Sequence, residues 1–322
     1  MTTMNAAVVT SFAEPPHYQR FAVPEPATGE EILVDVLAVG LHPRVRSGAA
    51  GAHYTSTGAL PMIPGIDAVG QRPDGRRIYF LADDHHLGTM AEKAVVERRR
   101  AIELPDEVDV ATVAATMNPA MSAWIALRRR VPIAPGQSVL VLGATGNAGT
   151  MAVQVAKRLG AGRVVGAGRN LERLTALTSL GADEVVQLTA DPEPSARALG
   201  AAAADVDIVI DYLWGAPAEQ AIPALLTARA DRSRALDWIQ IGAIAGPTIQ
   251  LPSVALRSTN LRLQGTGQGA VAPQAYLAEL PSLVAEIDAG TIGLTASAKP
   301  LADVERIWTA TDPPGRRTVL IP

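Results

Sequence analysis

SVLVLGATGNAGTMAVQVAKRLGAGRVVGAGRN, residues 138–170, decides how this chain is read. An apolar run ends at Gly143. The turn Gly143-Ala144-Thr145-Gly146-Asn147-Ala148-Gly149 follows, then a segment of helical period, then a second apolar run ending at Gly168-Arg169-Asn170. The pattern predicts a strand, a glycine turn, a helix and a parallel strand, which is the first half of a dinucleotide-binding unit. Glycines let backbone N–H groups approach phosphates, and a helix N-terminus adds partial positive charge. A lone glycine triplet is weak evidence; one set between a strong strand and a helix is not.

The end of the second strand selects the cofactor. NAD sites usually place an acid there for the ribose hydroxyls. Here Gly168, Arg169 and Asn170 leave no carboxylate to repel a 2′-phosphate, and Arg169 offers a guanidinium to pair with one. NADP(H) is the expected cofactor. The missing acid also argues against a methyl donor that presents a bare ribose.

Downstream, strand and helix alternate: strands at 163–168, 184–188, 206–212, 237–243 and 261–266, helices at 148–159, 171–180, 193–203 and 216–228. Alternation of this kind predicts a parallel sheet covered by helices. Ligands in such sheets lie beyond the carboxyl ends of the strands. That marks Tyr212-Leu213, Ile241-Gly242-Ala243 and Gln264-Gly265-Thr266 as further cofactor-facing residues.

The first 105 residues have another character. Short β-branched runs at 6–10 and 32–41, a hairpin over 67–80 turning at Pro73-Asp74-Gly75, and strands at 88–97 and 101–104 predict a partly closed barrel. Residues 14–30 carry several prolines and read as loop. Residues 42–64 read as a long loop of no clean period, the kind that is usually functional. Helical spacing at 109–116 and 120–130 predicts two helices, with Asn118 opening the second. After 267, one helix at 273–288, a short strand end plus a second helix over 299–312 and a strand at 318–321 read as a return to the first domain. The expected division is 1–115, 116–266 and 267–322.

The chain has 322 residues, enough for two domains, with 48% hydrophobic and 19% charged residues and a net charge of -4. The charge argues against nucleic acid or an anionic membrane surface as partner. No apolar run approaches the ~18 residues of a membrane span. There is no cysteine, hence no disulfide and no thiolate metal site. The N-terminus shows no secretory pattern, so a cytoplasmic protein is expected. His85-His86 reads as a solvated turn.

These stretches resemble the medium-chain dehydrogenase/reductase superfamily. GATGNAGTMAVQVAKRLGA after APGQSVLV is similar to its nucleotide-binding segment. LPMIPGIDAVG (60–70), LGADEVV (180–186), RLQGTG (262–267) and GRRTVLI (315–321) fit as well. The likeness is to the zinc-free, quinone-oxidoreductase-like branch. It implies a GroES-like β-barrel built from both chain ends around a Rossmann doubly wound parallel sheet, α/β in class. It also implies a homodimer joined through the edge strand near 261–266. Two departures stand out. Zinc-dependent members carry Gly-His-Glu where this chain has Gly65-Ile66-Asp67, so no zinc is expected. Quinone-reducing members carry Asn-Pro where this chain has His42-Pro43.

With no metal, flavin motif or thiol, the expected chemistry is direct hydride transfer to a quinone or α,β-unsaturated carbonyl. Such a reaction needs placement, a polarising donor and a proton source. Tyr54 and His42 are the candidate proton donors. Asn118, which the resemblance places near the nicotinamide, is either a carbonyl donor or a helix cap. Ser122, one turn on, is a candidate cofactor contact. Two alternatives stay open: an NADPH-binding sensor without catalysis, and, less favoured, a zinc-dependent alcohol dehydrogenase.

Overall fold

The computed structural model describes residues 2–82, 87–267 and 269–322; His85 and His86 lie outside the described residues. The chain divides into two compact units, Met1–Asn118 with Leu280–Pro322, and Pro119–Glu279.

In the first unit, β1 (Thr3–Val8) and β2 (His17–Ala22) form an antiparallel pair. The expectation of a loop over 14–30 is corrected here. The prolines at 15, 16, 24 and 26 flank β2 rather than interrupt it, so they cost no ladder bond. The main sheet has seven strands: β3 (Glu31–Gly40), β4 (Asp67–Gln71), β5 (Arg77–Leu81), β6 (Lys93–Glu97), β7 (Ala101–Glu103), β14 (Thr295–Pro300) and β15 (Arg316–Ile321). Its order is β14-β15-β3-β4-β5-β7, with β6 also on β3. β3 alternates buried and accessible residues along its first half, the pattern of a strand with one face on the core. The chain end returns to this sheet, where Val319 and Leu320 pair with Gly40 and Val39.

The long segment after β3 is not all loop. Pro43 opens a short helix, α1 (Pro43–Ala49), as proline does at a first helical position. The glycines around it hid the turn from pattern reading.

The expectation of two helices at 109–116 and 120–130 is also corrected. One helix, α2 (Val110–Ile125), runs through Pro119 and continues as a π-turn over Ala126–Arg130. Proline removes one amide donor but does not end a helix whose flanks are packed. By length and composition Val110–Arg130 resembles a membrane span, with mean hydropathy 1.3, yet 72% of that window is buried inside the protein. The apolar run expected to be absent is therefore present, as a core helix.

The second unit is a six-stranded, all-parallel sheet of β8 (Ser138–Leu142), β9 (Arg163–Gly168), β10 (Glu184–Gln187), β11 (Ile208–Asp211), β12 (Leu236–Gln240) and β13 (Leu261–Gly265), in the order β10-β9-β8-β11-β12-β13. This is the doubly wound order, reversing between β8 and β11. The covering helices are α3 (Asn147–Arg158), α4 (Leu171–Leu177), α5 (Pro192–Ala203), α6 (Gly215–Ala228) and a short α7 (Ser253–Arg257) that the pattern missed. Asp191 caps α5 by accepting from the Glu193 N–H, and Asn170 caps α4 by accepting from that of Arg173. Each fills one of the orphan donors of a helix start.

The single helix expected at 273–288 is two, α8 (Pro273–Leu277) and α9 (Leu280–Asp288). Pro281 has no N–H to continue the first. The segment up to Glu279 belongs to the second unit, not to the return. Within that unit Tyr276 bonds the Met121 sulfur, and Glu279 pairs with Arg128 and Arg129.

Candidate functional site

The glycine turn follows β8 at the point where the strand order reverses. Gly143 has φ +85, a conformation that favours glycine. Gly149 lies against the turn so closely that a Cβ would stand 2.2 Å from the Gly143 oxygen and 2.6 Å from the Ala144 Cα. Only a glycine lets α3 start there. Gly146 differs, since a Cβ on it would meet nothing nearer than 3.7 Å. Its missing side chain leaves open space over the helix N-terminus, as an approaching phosphate requires. Ala144 is buried, and its oxygen accepts from Thr150 Oγ1 at 3.2 Å. Thr145 packs on Gly168, where a Cβ would come within 2.7 Å of its methyl group. Asn147 and Ala148 begin α3, both half-buried.

At the end of β9, Arg169 and Asn170 are exposed. Asn170 Oδ1 is committed as the α4 cap at 2.9 Å. Sequence reasoning stopped there and missed Arg173. The cap places Arg173 in the first turn of α4, and its Nη1 donates to the Thr145 oxygen at 3.3 Å. A guanidinium therefore bridges the glycine turn and the end of the second strand. The signal was present in sequence: an arginine three residues after a capping asparagine.

The other strand ends gather on the opposite side of β8. Asp211 is fully buried and closes β11. Its Oδ1 accepts from the Leu213 and Trp214 N–H groups at 2.8 and 3.0 Å, and its Oδ2 from Trp238 Nε1 at 3.1 Å. Burial raises the Asp211 pKa and these three hydrogen bonds oppose it. The bonds fold the turn that carries Tyr212 and Leu213, and hold Trp214 at φ +53, an uncommon backbone for a bulky residue.

Tyr212 and Ser122 come together, their hydroxyls 2.9 Å apart. Ser122 also donates to the Pro119 oxygen at 3.0 Å. Burial pushes the Tyr212 pKa well up, against the Ser122 bond, so its hydroxyl stays protonated. Ile241 and Gly242 N–H groups both bond the Asp211 oxygen, at 2.8 and 3.1 Å. Gly242 sits so close to Tyr212 that a Cβ would be 2.7 Å from its oxygen. Ala243, which follows, is exposed. Thr266 bonds the Gln240 oxygen at 2.9 Å, which ties Gly265 and Thr266 to the end of β12, while Gln264 is half-buried within β13.

A second polar cluster lies in the first unit. His42, 2% exposed, and Asp67, 1% exposed, meet at 3.0 Å between Nε2 and Oδ1. Tyr79, itself fully buried, donates its hydroxyl to Asp67 Oδ2 at 2.8 Å, and Thr89 donates to the Asp67 backbone oxygen at 3.0 Å. Gly65 has φ +110, and a Cβ there would lie 2.3 Å from Thr89 Oγ1. Only a residue without a side chain passes so close to Thr89. Burial lowers the His42 pKa, the bond and charge of Asp67 oppose this, and the charges of Arg317 and Arg44 add to it. Arg317 is 3% exposed, and burial brings its pKa down to about 10. Its Nε and Nη1 have no partner among the described residues. The charges of Asp312 and Asp67 partly offset that burial. Asp67 and Tyr79 were missed because each is bonded to a partner distant in sequence, and Arg317 because only the fold buries it.

The remaining candidates separate. Tyr54 is 75% exposed, its ring against His53 at 4.3 Å between centroids. It does not join His42, and it is not among the residues lining the small cleft of the 42–64 segment, which include His53, Thr55 and Ser56. Asn118 is an interior residue of α2, not a helix start. The capping alternative is thereby removed. Its half-buried amide has no hydrogen-bond partner among the described residues. Among the described residues no three His, Cys, Asp or Glu form a metal-binding group.

Residues 148–283 match the family described as zinc-binding dehydrogenase. The probable NADPH-dependent quinone reductase tdiC of Emericella nidulans is 30% identical over 362 aligned positions, covering 99% of this chain and 100% of that protein. The chloroplastic NADPH-dependent alkenal/one oxidoreductase of Arabidopsis thaliana is 27% identical over 176 residues, 50% of this chain and 45% of that protein. The quinone oxidoreductase from Thermus thermophilus, solved also in complex with NADPH, superposes with a TM-score of 0.81 at 27% identity, covering 99% of this chain and 100% of that one. A mycobacterial quinone oxidoreductase superposes with a TM-score of 0.83 at 20% identity, which speaks for the fold alone.

Proposed function

The chain belongs to the medium-chain dehydrogenase/reductase superfamily, in its quinone-oxidoreductase-like branch, and from that premise we propose how its residues serve the reaction. It is an NADPH-dependent oxidoreductase of quinones or α,β-unsaturated carbonyls. The observation that carries this reading is the glycine turn, open above Gly146 and closed at Gly149, with arginines at the end of the next strand. The residues fit the cofactor: a cradle that a Cβ would fill, and cations where a 2′-phosphate arrives.

NADPH supplies a hydride when bound. The chain's own work is to hold, orient and manage a proton. Gly143, Ala144, Thr145, Gly146, Asn147, Ala148 and Gly149 hold the pyrophosphate. Arg169 and Arg173 select the 2′-phosphate. Gly168 leaves room for the adenosine ribose. Ser122, Tyr212, Leu213, Ile241, Gly242, Ala243, Gln264, Gly265 and Thr266 form the nicotinamide side. His42 handles the proton. Its Nε2 is committed to Asp67, which orients the ring. Asn118 offers its amide to the substrate carbonyl. The exposure of Tyr54 makes it the weaker donor, retained only if the 42–64 segment rearranges.

The finer proposals are these. The enzyme works without zinc, since the sequence has no cysteine and Ile66 stands beside Asp67, and it uses no flavin. It acts on small molecules, without nucleic acid or membrane partners, in the cytoplasm. It is a homodimer through β13, whose outer edge is unpaired in the sheet order and whose Leu263 is exposed, as are Ile244, Val254 and Leu256 of the same unit. An unpaired, partly apolar edge strand is a template for a second copy.

The test is NADPH oxidation by purified protein across a panel of quinones and enones. Turnover with at least one acceptor supports the reading. Tight NADPH binding with no turnover on any would favour the sensor alternative. Metal in the purified protein, with activity lost to a chelator, would favour the zinc enzyme.

A further inference from the structure

The arginine run 128–130 ends α2 in a π-turn, a rare geometry that recurs at functional sites. Its three members do different things. Arg128 stacks over Trp124, 5.1 Å from the ring centre, and pairs with Glu279, as does Arg129. Glu279 is nearly buried, its side chain 5% exposed. Two cations answer one buried carboxylate, and so fix the end of the run. Arg130 points elsewhere. Its Nε donates to the Gly265 oxygen at 3.1 Å and its Nη1 to the Ala270 oxygen at 3.2 Å.

Gly265 is the last residue of β13, and the next residue, Thr266, is tied to the Gln240 oxygen at 2.9 Å. A single planar guanidinium thus ties the end of β13 to Ala270, with both contacts on backbone. A lysine cannot bridge two carbonyls in a fixed plane. The segment lies across β8 from Arg169 and Arg173, so it flanks the mononucleotide half opposite the adenosine.

We propose that Arg130 is a positioning residue for the nicotinamide half of the cofactor, acting through the Gly265-Thr266 backbone. Arg128, Arg129 and Glu279 hold the π-turn from which it reaches. This rests on the dinucleotide reading above and deepens it. Arg130 touches no reacting atom. It sets where the strand end stands, and an error there misplaces the hydride donor while leaving the adenosine half seated.

The test compares wild type, Arg130→Lys and Arg130→Gln with two probes. Adenosine 2′,5′-bisphosphate reports on the adenosine half, and NADPH on the whole. Calorimetric titration of both variants is expected to leave bisphosphate affinity within twofold of wild type. NADPH binding weakens tenfold or more in Arg130→Gln, kcat with a quinone falls further than tenfold, and Arg130→Lys lies between. Equal weakening of both probes would mean general loosening and overturn the proposal, as would unchanged NADPH binding and kcat in both variants. Should Arg130→Gln fail to fold, Arg130→Lys keeps the charge and decides alone, by NADPH weakening with bisphosphate retained or by the absence of that split. Wild type that binds neither probe would instead overturn the dinucleotide reading and take this inference with it.

Discussion

Nε2 of His42 stands 3.0 Å from Oδ1 of Asp67, in the interior of the first unit and across 25 positions of sequence. The carboxylate accepts from Tyr79 at its other oxygen. Removing it would strand two buried polar groups at once. Asp67→Ala is expected to cost about 3 kcal/mol in unfolding free energy, since each unsatisfied buried group costs roughly 1–3 kcal/mol, and to lower kcat more than tenfold. Tyr79→Phe removes one donor and leaves the pair, so about 1 kcal/mol is expected. Denaturant melts of the two variants measure both; equal costs would show that Asp67 does not organise the cluster.

Burial holds the His42 pKa below its ordinary 6.5 despite Asp67, with Arg317 and Arg44 adding to the shift. The unfolded chain therefore takes this proton first. The stability His42 contributes is complete above pH 6.5 and is lost as pH falls from there through the folded value. Stability curves of wild type and His42→Asn should run parallel above about pH 6.5, with the wild type losing ground on acidification. A wild type that gains on the variant at low pH would mean that His42 is held protonated in the folded protein.

Gly146 and Gly149 are both alanine-sized gaps in sequence, but not in space. Gly149→Ala drives a Cβ into backbone at 2.2 Å and should cost more than about 3 kcal/mol, above the usual overpacking range. Gly146→Ala meets nothing within 3.7 Å and should fold normally, within about 0.5 kcal/mol, yet lose NADPH binding by blocking the phosphate approach. Thermal melts with parallel NADPH titration separate the two. Normal NADPH affinity in Gly146→Ala would remove the phosphate from this turn.

Arg173 bonds the Thr145 oxygen at 3.3 Å, whereas Arg169 is exposed on the strand end. A charge-assisted contact to phosphate is worth about 1.5–3 kcal/mol, or roughly 10–100-fold in affinity. Arg173→Ala and Arg169→Ala should each weaken NADPH by that factor and NADH by less than threefold. Equal loss for both cofactors would assign the arginines to folding rather than selection.

Leu263, 38% exposed on the outermost strand β13, tests the dimer. Leu263→Asp should convert a dimer to a monomer in sedimentation equilibrium without lowering the thermal midpoint of the monomer. A wild type that sediments as a monomer would remove the interface.

The alternation of strand and helix from 138 to 266 was legible because its strands are buried on both faces and so read as unbroken apolar runs. The glycine turn was legible for a related reason: the close approach of Gly149 to the Gly143 oxygen leaves no room for a Cβ. Strand β2 was not legible, because proline counts mark a region as broken whether they interrupt a strand or only flank it. Pro119 misled in the opposite sense, since packing on both sides of α2 outweighs one missing amide.

By itself the sequence determined the alternating strands and helices of the second unit and the glycine turn from Gly143 to Gly149, where structure lies in local pattern. Tertiary structure alone decided the partners. It joined Asp67 to His42 and Tyr79, Ser122 to Tyr212, Arg173 to Thr145 and Arg130 to Gly265. Each of these is a hydrogen bond between residues 12 to 135 positions apart. Periodicity and propensity carry information over a turn or a strand, and a contact that closes so long a loop leaves no mark in either.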